Sequence, residues 1–279
     1  ADDGKLKDIE TIKTASAGSE VILEKQKEAL TITGGDGVDK ITGGEGIDTI
    51  DGGKGADIIT GGKGDDIITG GAGVDTFKVD VGTDTITDLG GFSGSESDKL
   101  IISKDATAKA TVSVSFIATS DTVNHADNAV TKAVLSTDTD GATIDMSDAS
   151  GVFTLTGDDG VDKLTGGEGI DTIDGGKGAD IITIAAAGHG DTDVMDGGAD
   201  ADVLQLSTGK HTFADDGKLK DIETIKTASG GSEVILEKQK EALTITGDDG
   251  VDKITGGEGI DTIDGGKGDD IITIATAGH

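Results

Sequence analysis

The chain has 279 residues, a formal charge of -32, and no Cys, Pro, Trp or Tyr, and its basic residues are all Lys apart from four His. The lack of Cys excludes disulfides, thiolate metal sites and thiol catalysis; the acidity argues against nucleic acid and anionic lipid surfaces and leaves a cation as the expected partner. No apolar run is long enough to span a membrane, and Ala1 is followed by acidic residues where a secretory signal needs a basic and then apolar start.

Residues 1–33 carry Ile9, Ile12, Val21, Ile22, Leu23, Leu30 and Ile32 in a pattern that predicts short strands entering a solenoid without metal-binding turns. A helix from Glu20 to Leu30 is the competing reading, because EVILEKQKEAL also has fair helical propensity. Strands are favoured.

Five consecutive nonapeptides follow from Gly34 to Lys78: GGDGVDKIT, GGEGIDTID, GGKGADIIT, GGKGDDIIT and GGAGVDTFK. Glycines at positions one, two and four permit a tight turn and leave carbonyl oxygens free to converge. Position six supplies a carboxylate every time, as Asp39, Asp48, Asp57, Asp66 and Asp75. Carboxylates among carbonyls make a hard oxygen cup of the kind calcium prefers. Position eight is always apolar, as Ile41, Ile50, Ile59, Ile68 and Phe77, so each short strand sends one large side chain inward. One such side chain per nine residues does not offset the entropy of ordering them, so metal binding must contribute to folding.

The pattern G-G-x-G-x-D-x-U-x, with U apolar, resembles the RTX calcium-binding repeat family. The resemblance implies an all-β fold, a right-handed parallel β-roll or β-solenoid with calcium-binding turns, in which two nonapeptides make one coil of eighteen residues. Each turn then stacks on the next but one at about 4.8 Å. It also implies several calcium ions per chain, held between stacked turns by position-six aspartates and glycine-turn carbonyls. In the first run the implied pairs are Asp39 with Asp57, Asp48 with Asp66, and Asp57 with Asp75, so three ions fit. The glycines expected to line those sites are Gly35, Gly37, Gly44, Gly46, Gly53, Gly55, Gly62, Gly64, Gly71 and Gly73.

Residues 34–107 form this first β-roll with a closing segment, Phe77 to Ser103, similar to the one that ends the roll in secreted RTX proteases. Asp84, Asp88 and Asp98 there are read as a solvated turn, with one further ion as the alternative. In residues 108–156 the repeat signal fades into TVSVSFIA, AVTKAVL and GATIDM, read as strands of a β insertion or cap.

The second roll, 157–213, holds five nonapeptides from Gly157 to Gln205, interrupted by Ile184 to Ala187. Asp162, Asp171 and Asp180 stand in regular units, with Gly167, Gly169, Gly176 and Gly178 beside them; Asp193 and Asp202 stand in weaker ones, where Asp191 and Asp200 replace the fourth glycine. The interruption must bulge out or start a different coil, which puts the Asp171–Asp193 stacking at risk. Residues 214–246 copy 1–33, and 247–279 form a third roll with Asp252, Asp261 and Asp270 and with Gly257, Gly259, Gly266 and Gly268. Asp252 and Asp270 are expected to share one ion. Residues 1–60 and 214–273 differ only at Ala17/Gly230, Gly35/Asp248 and Ala56/Asp269. The final IATAGH repeats IAAAGH at 184–189, where the longer copy runs on, so the sequence is expected to stop inside a module.

His125, His189, His211 and His279 are scattered and are expected in solvated loops. Lys54, Lys63, Lys177 and Lys267 occupy the third repeat position and are expected to offset the acidic turns. No HExxH, G-x-S-x-G or P-loop motif occurs, so no catalytic role is expected. The favoured function is a calcium-dependent structural segment of a secreted Gram-negative surface protein, a surface-layer lattice protein or adhesin. Export is expected by a one-step, type I exporter, with self-association or neighbouring surface proteins as partners. The alternative is the secretion and folding module of an exported hydrolase; ice binding ranks last, since the turns hold Asp, Glu and Lys rather than a flat Thr and Asn array.

Overall fold

The computed structural model describes residues 9–90, 98–103, 106–112, 115–118, 122–124, 133–137, 141–185, 192–213 and 215–274. They are all-β, and no helix is long and apolar enough to cross a membrane. The strands are parallel and stack as a β-solenoid, mostly in pieces of three or four residues. Their sequences, such as TIT, KIT and IIT, place β-branched residues that favour extended backbone between glycine pairs that end the strand.

The chain divides into two compact units, Ala1–Asp138 with Asp148–Phe153, and Thr139–Ser147 with Thr154–His279. In the first unit one sheet stacks Thr11–Lys13, Thr31–Thr33, Thr49–Lys54, Ile67–Ala72, Gly82–Leu89, Ala106–Val112 and Ala133–Thr137. A second stacks Glu20–Ile22, Lys40–Thr42, Ile58–Thr60, Thr76–Val79, Lys99–Ile102 and Val123–Asn124. Register repeats at one coil, with Ile32 opposite Ile50 opposite Ile68 in the first sheet and Ile41 opposite Ile59 opposite Phe77 in the second. Those side chains, with Ile86 and Leu100, are fully buried and form the apolar column.

In the second unit the columns are Thr143–Asp145, Lys163–Gly166, Ile181–Ile184, Val203–Leu206, Thr224–Lys226, Thr244–Thr246 and Thr262–Asp264; Thr154–Thr156, Thr172–Asp174, Val194–Asp196 and Leu219–Lys220; and Gly209–Thr212, Ser232–Ile235, Lys253–Thr255 and Ile271–Thr273. The interruption after Thr183 leaves the register intact. Ile181 still faces Val203, and Ile184, the first of the four interrupting residues, extends the strand opposite Leu206.

The helix considered for Glu20 to Leu30 does not form. Val21 pairs with Ile41, and the chain then turns, with the Gln26 amide donating to the Leu23 carbonyl at 2.8 Å. Ladder pairing overrides the local propensity. The Gln26 carbonyl accepts the Glu45 amide at 2.6 Å, so the EKQKEA turn packs directly on a glycine turn of the next coil.

His211 also departs from expectation. It lies in strand Gly209–Thr212 opposite Val234 and is fully buried, with Nε2 at 2.9 Å from the Ser207 carbonyl. The period-two side-chain pattern of the strand turns position 211 inward, a register not legible from four scattered histidines. The other three lie outside the described residues.

Candidate metal centres

The position-six aspartates do not face solvent. Asp39, Asp48, Asp57, Asp66, Asp75, Asp162, Asp171, Asp180, Asp193, Asp202 and Asp252 are buried; Asp261 and Asp270, in the last coils described, are half-buried. Each column stacks them into a ladder in which one carboxylate oxygen accepts the backbone amide one coil earlier.

In the first unit the Asp39 amide donates to Asp57 Oδ1 at 2.7 Å, Asp57 to Asp75 at 2.7 Å, and Asp48 to Asp66 at 2.8 Å. In the second, Asp162 donates to Asp180 at 2.8 Å, Asp180 to Asp202 at 2.8 Å and Asp252 to Asp270 at 3.0 Å. The Asp171 amide meets Asp193 Oδ1 at 2.9 Å, so the interruption does not disturb that stacking. The second ladder ends on a residue outside any nonapeptide, where the Asp202 amide donates to Glu223 Oε2 at 2.7 Å.

The other oxygen, Oδ2, behaves in two ways. Asp39, Asp48, Asp171 and Asp261 receive the amide of the position-two glycine four residues earlier, at 2.7 to 2.9 Å, and Asp162 receives Asp158 in the same way at 3.0 Å. From the second coil on, the position-two peptide turns over: Gly53 and Gly62 have φ of 99° and 107°. Asp57, Asp66, Asp180 and Asp202 are then left with a buried Oδ2 that has no hydrogen-bond partner; Asp252 Oδ2 is unpartnered for a different reason, because the Asp248 amide donates to Thr227 Oγ1 at 3.1 Å instead. A buried acceptor without a donor is costly, and a buried carboxylate more so.

The first glycine of each unit faces that orphaned oxygen. A Cβ on Gly52 would sit 2.6 Å from Asp57 Oδ2 and 2.6 Å from the Gly70 carbonyl; on Gly175 it would sit 2.6 Å from Asp180 Oδ2 and 2.4 Å from the Gly197 carbonyl. Carboxylate and carbonyl oxygens thus converge on a small cradle kept open by the missing side chain. Of the three glycines expected to shape the turn, only the second and fourth were expected to line the sites; the first belongs with them. The signal was present, because every nonapeptide opens with Gly.

The donor set fits calcium. All donors are oxygens, and among the described residues no group of three or more Asp, Glu, His or Cys gathers, so backbone carbonyls must share the coordination. Bound there, calcium would supply positive charge to the ladder oxygens, chiefly Asp57, Asp66, Asp180, Asp202 and Asp252. Without it, burial raises the Asp66 carboxyl to about 6, the Asp75 carboxyl to about 7 and the Asp180 and Asp202 carboxyls to about 6, and neighbouring aspartates push in the same direction.

The closing segment corrects the solvated-turn reading. Asp84 and Asp98 are buried, and they extend the ladders: the Asp66 amide donates to Asp84 Oδ1 at 3.2 Å and the Asp75 amide to Asp98 Oδ1 at 2.8 Å. Asp88 accepts Gly70 and Gly71 at 2.9 and 2.8 Å. For Asp84 the sequence hid this because a single turn glycine, Gly82 with φ of 99°, precedes it, without the glycine pair that opens a nonapeptide.

Outside the cups, each position-three lysine meets an acid one coil earlier: Lys54 with Asp36 at 3.3 Å, Lys63 with Glu45 at 3.1 Å, Lys177 with Asp159 at 2.7 Å and Lys267 with Asp249 at 3.1 Å. These pairs are largely exposed and screened, and hold the turns in line more than they stabilise them.

Asp200 stands where other units have the fourth glycine and takes a φ of 87°. Asp200→Gly is expected to raise stability by about 0.5–1 kcal/mol, by releasing a strained backbone and removing a charge beside Asp202. Thermal unfolding at fixed calcium reads it; a lower midpoint would mean that the Asp200 carboxylate makes a contact worth more than the strain.

A family model described as the RTX calcium-binding nonapeptide repeat (4 copies) matches residues 33–68, 51–86, 156–183, 187–205 and 246–273. No curated protein and no solved structure matches the chain.

Proposed function

We propose that this chain, which carries the RTX calcium-binding nonapeptide repeats of that family, is a calcium-dependent structural region of a secreted protein, a surface-layer lattice protein or adhesin of a Gram-negative cell. The observation that carries the calcium reading is the row of buried aspartate oxygens without hydrogen-bond partners, those of Asp57, Asp180, Asp202 and Asp252 each facing the same space as a backbone carbonyl. In this reading the chain stays unfolded at low cytosolic calcium, passes a type I exporter, and folds outside. Extracellular calcium modules bind at about 10⁻⁴ to 10⁻³ M, which suits that sequence of events.

The lattice or adhesin role is supported by the near-duplication of residues 1–60 as 214–273 and by a stacked β architecture suited to extension. Self-association or contact with neighbouring surface proteins follows from it, with calcium bridging acidic faces. Electron microscopy of the protein at millimolar calcium tests this. Ordered arrays that dissolve in chelator are expected; dispersed single particles at saturating calcium would remove the lattice role and favour a spacer or secretion module.

A further inference from the structure

We infer that the outer face of the second sheet of the first unit is a docking face for the acidic glycine-turn edge of a second copy of this chain. This rests on the self-association proposed above and names the surface that carries it.

The sign of the charge changes on this face. The chain as a whole holds 55 Asp and Glu against 23 Lys, and a net charge of -32 makes its copies repel one another at most approaches. In the second sheet Ile41, Ile59, Phe77 and Leu100 are buried, so the two-residue alternation turns Lys40, Lys78 and Lys99 outward. Among the described residues of that sheet the other outward positions are uncharged, except for Glu20 on the edge strand, which Lys40 pairs at 2.8 Å.

The lysines also stand close together. Lys99 lies opposite Thr76 and Ile101 opposite Lys78, so Lys78 and Lys99 sit diagonally on neighbouring strands that run about 4.8 Å apart. Ile58, on the strand beside them, is 36% exposed, so the cations surround methyl and hydroxyl groups on an in-register ladder.

The complementary charge lies on the glycine turns at 157–162, 175–180 and 197–202. Asp159, Asp174 and Asp200 are exposed there and Asp158 is half-buried. None of the four belongs to the aspartate ladder, but Asp158 and Asp174 lie near Asp180, and Asp200 near Asp202, so they share one edge. Lys177 is the only cation of those turns and is held by Asp159 at 2.7 Å. Face and edge are different surfaces, so the contact is heterologous and leaves each copy one of each for a further neighbour, as an extended array requires. Attraction between them selects the approach and weakens with salt.

The test is sedimentation velocity of the whole chain at saturating calcium, with circular dichroism confirming that each variant is folded. Lys78→Glu with Lys99→Glu is expected to weaken association about tenfold or more. Lys13→Glu with Lys109→Glu, an equal change of net charge placed on the first sheet, is expected to associate like the parent. Asp159→Lys with Asp174→Lys is expected to fail alone, and mixing it with the Lys78→Glu, Lys99→Glu variant is expected to restore association. Equal weakening by both lysine pairs, or no rescue on mixing, would overturn the inference while leaving self-association in place. If a variant does not fold, zero-length carbodiimide cross-linking of mixed isotope-labelled and unlabelled parent decides. Links between copies from Lys78 or Lys99 to Asp158, Asp159, Asp174 or Asp200 are expected; links confined to other lysines would overturn it. A parent that stays single at every concentration would remove self-association and this face with it, and binding of polygalacturonate through the same lysines would then assign the face to a foreign acidic polymer.

Discussion

Replacing Gly73 by alanine is expected to cost the first unit more than about 3 kcal/mol, enough to unfold it at calcium concentrations that keep the parent folded. Gly73 has a φ of 143°, and a Cβ there would fall 1.6 Å from the Gly55 carbonyl one coil below. The obstacle is backbone inside a parallel stack, so the coil cannot step aside without breaking its register. Gly217→Ala is the control, since its Cβ would meet only the Asp215 carboxylate at 3.2 Å. It is expected to change stability by about 0.5 kcal/mol or less. Denaturant unfolding at fixed calcium measures both, and equal effects would show that glycine is not needed for coil contact.

Much of this was legible beforehand because the repeat couples two periods. Glycines and aspartates mark the turn, and apolar residues two places later mark the strand, so Ile41, Ile59 and Phe77 were identified as core and stack in register. The stacked aspartate pairs were legible for the same reason. Asp84 and Asp98 were not, because their burial is imposed by the coil above rather than by neighbours in sequence. Glu223 is similar: it takes the aspartate's place in the ladder from the segment KDIETIK, which carries no nonapeptide signal. The peptide reversal at Gly53 and Gly62 was also hidden, since Gly35 and Gly44 hold the same place in the repeat without it, so the position in the stack decides which way the amide points.

Chelated protein is expected to lose most of its β-sheet circular dichroism near pH 8 and to regain part of it as the pH is lowered toward 5. In the metal-free fold, burial first and neighbouring carboxylates second raise Asp66, Asp98, Asp180 and Asp202 to about 6, and Asp75 and Asp84 to about 7. Their unfolded values lie near 3.9. The folded state therefore binds more protons than the unfolded state between about pH 4 and 7, and its stability falls as pH rises through that window. His211 acts in the opposite direction. Burial lowers its pKa, so its contribution is intact above the unfolded value and is lost as the pH falls through the folded one. One imidazole opposes several carboxylates, so the net recovery in mild acid stands. With calcium present the sign reverses, because protons compete for the same oxygens. A chelated protein equally folded at pH 8 and pH 5 would show that these carboxylates carry no unmet charge.

The midpoint of thermal unfolding, followed across free calcium from micromolar to ten millimolar, tests the whole account most directly. If ions held between stacked coils bind only the folded chain, each contributes about 1.4 kcal/mol for every tenfold rise in calcium above its dissociation constant. Several acting together are expected to move the midpoint by about 5 °C or more per tenfold rise. A midpoint that stays the same in chelator and in ten millimolar calcium would contradict it.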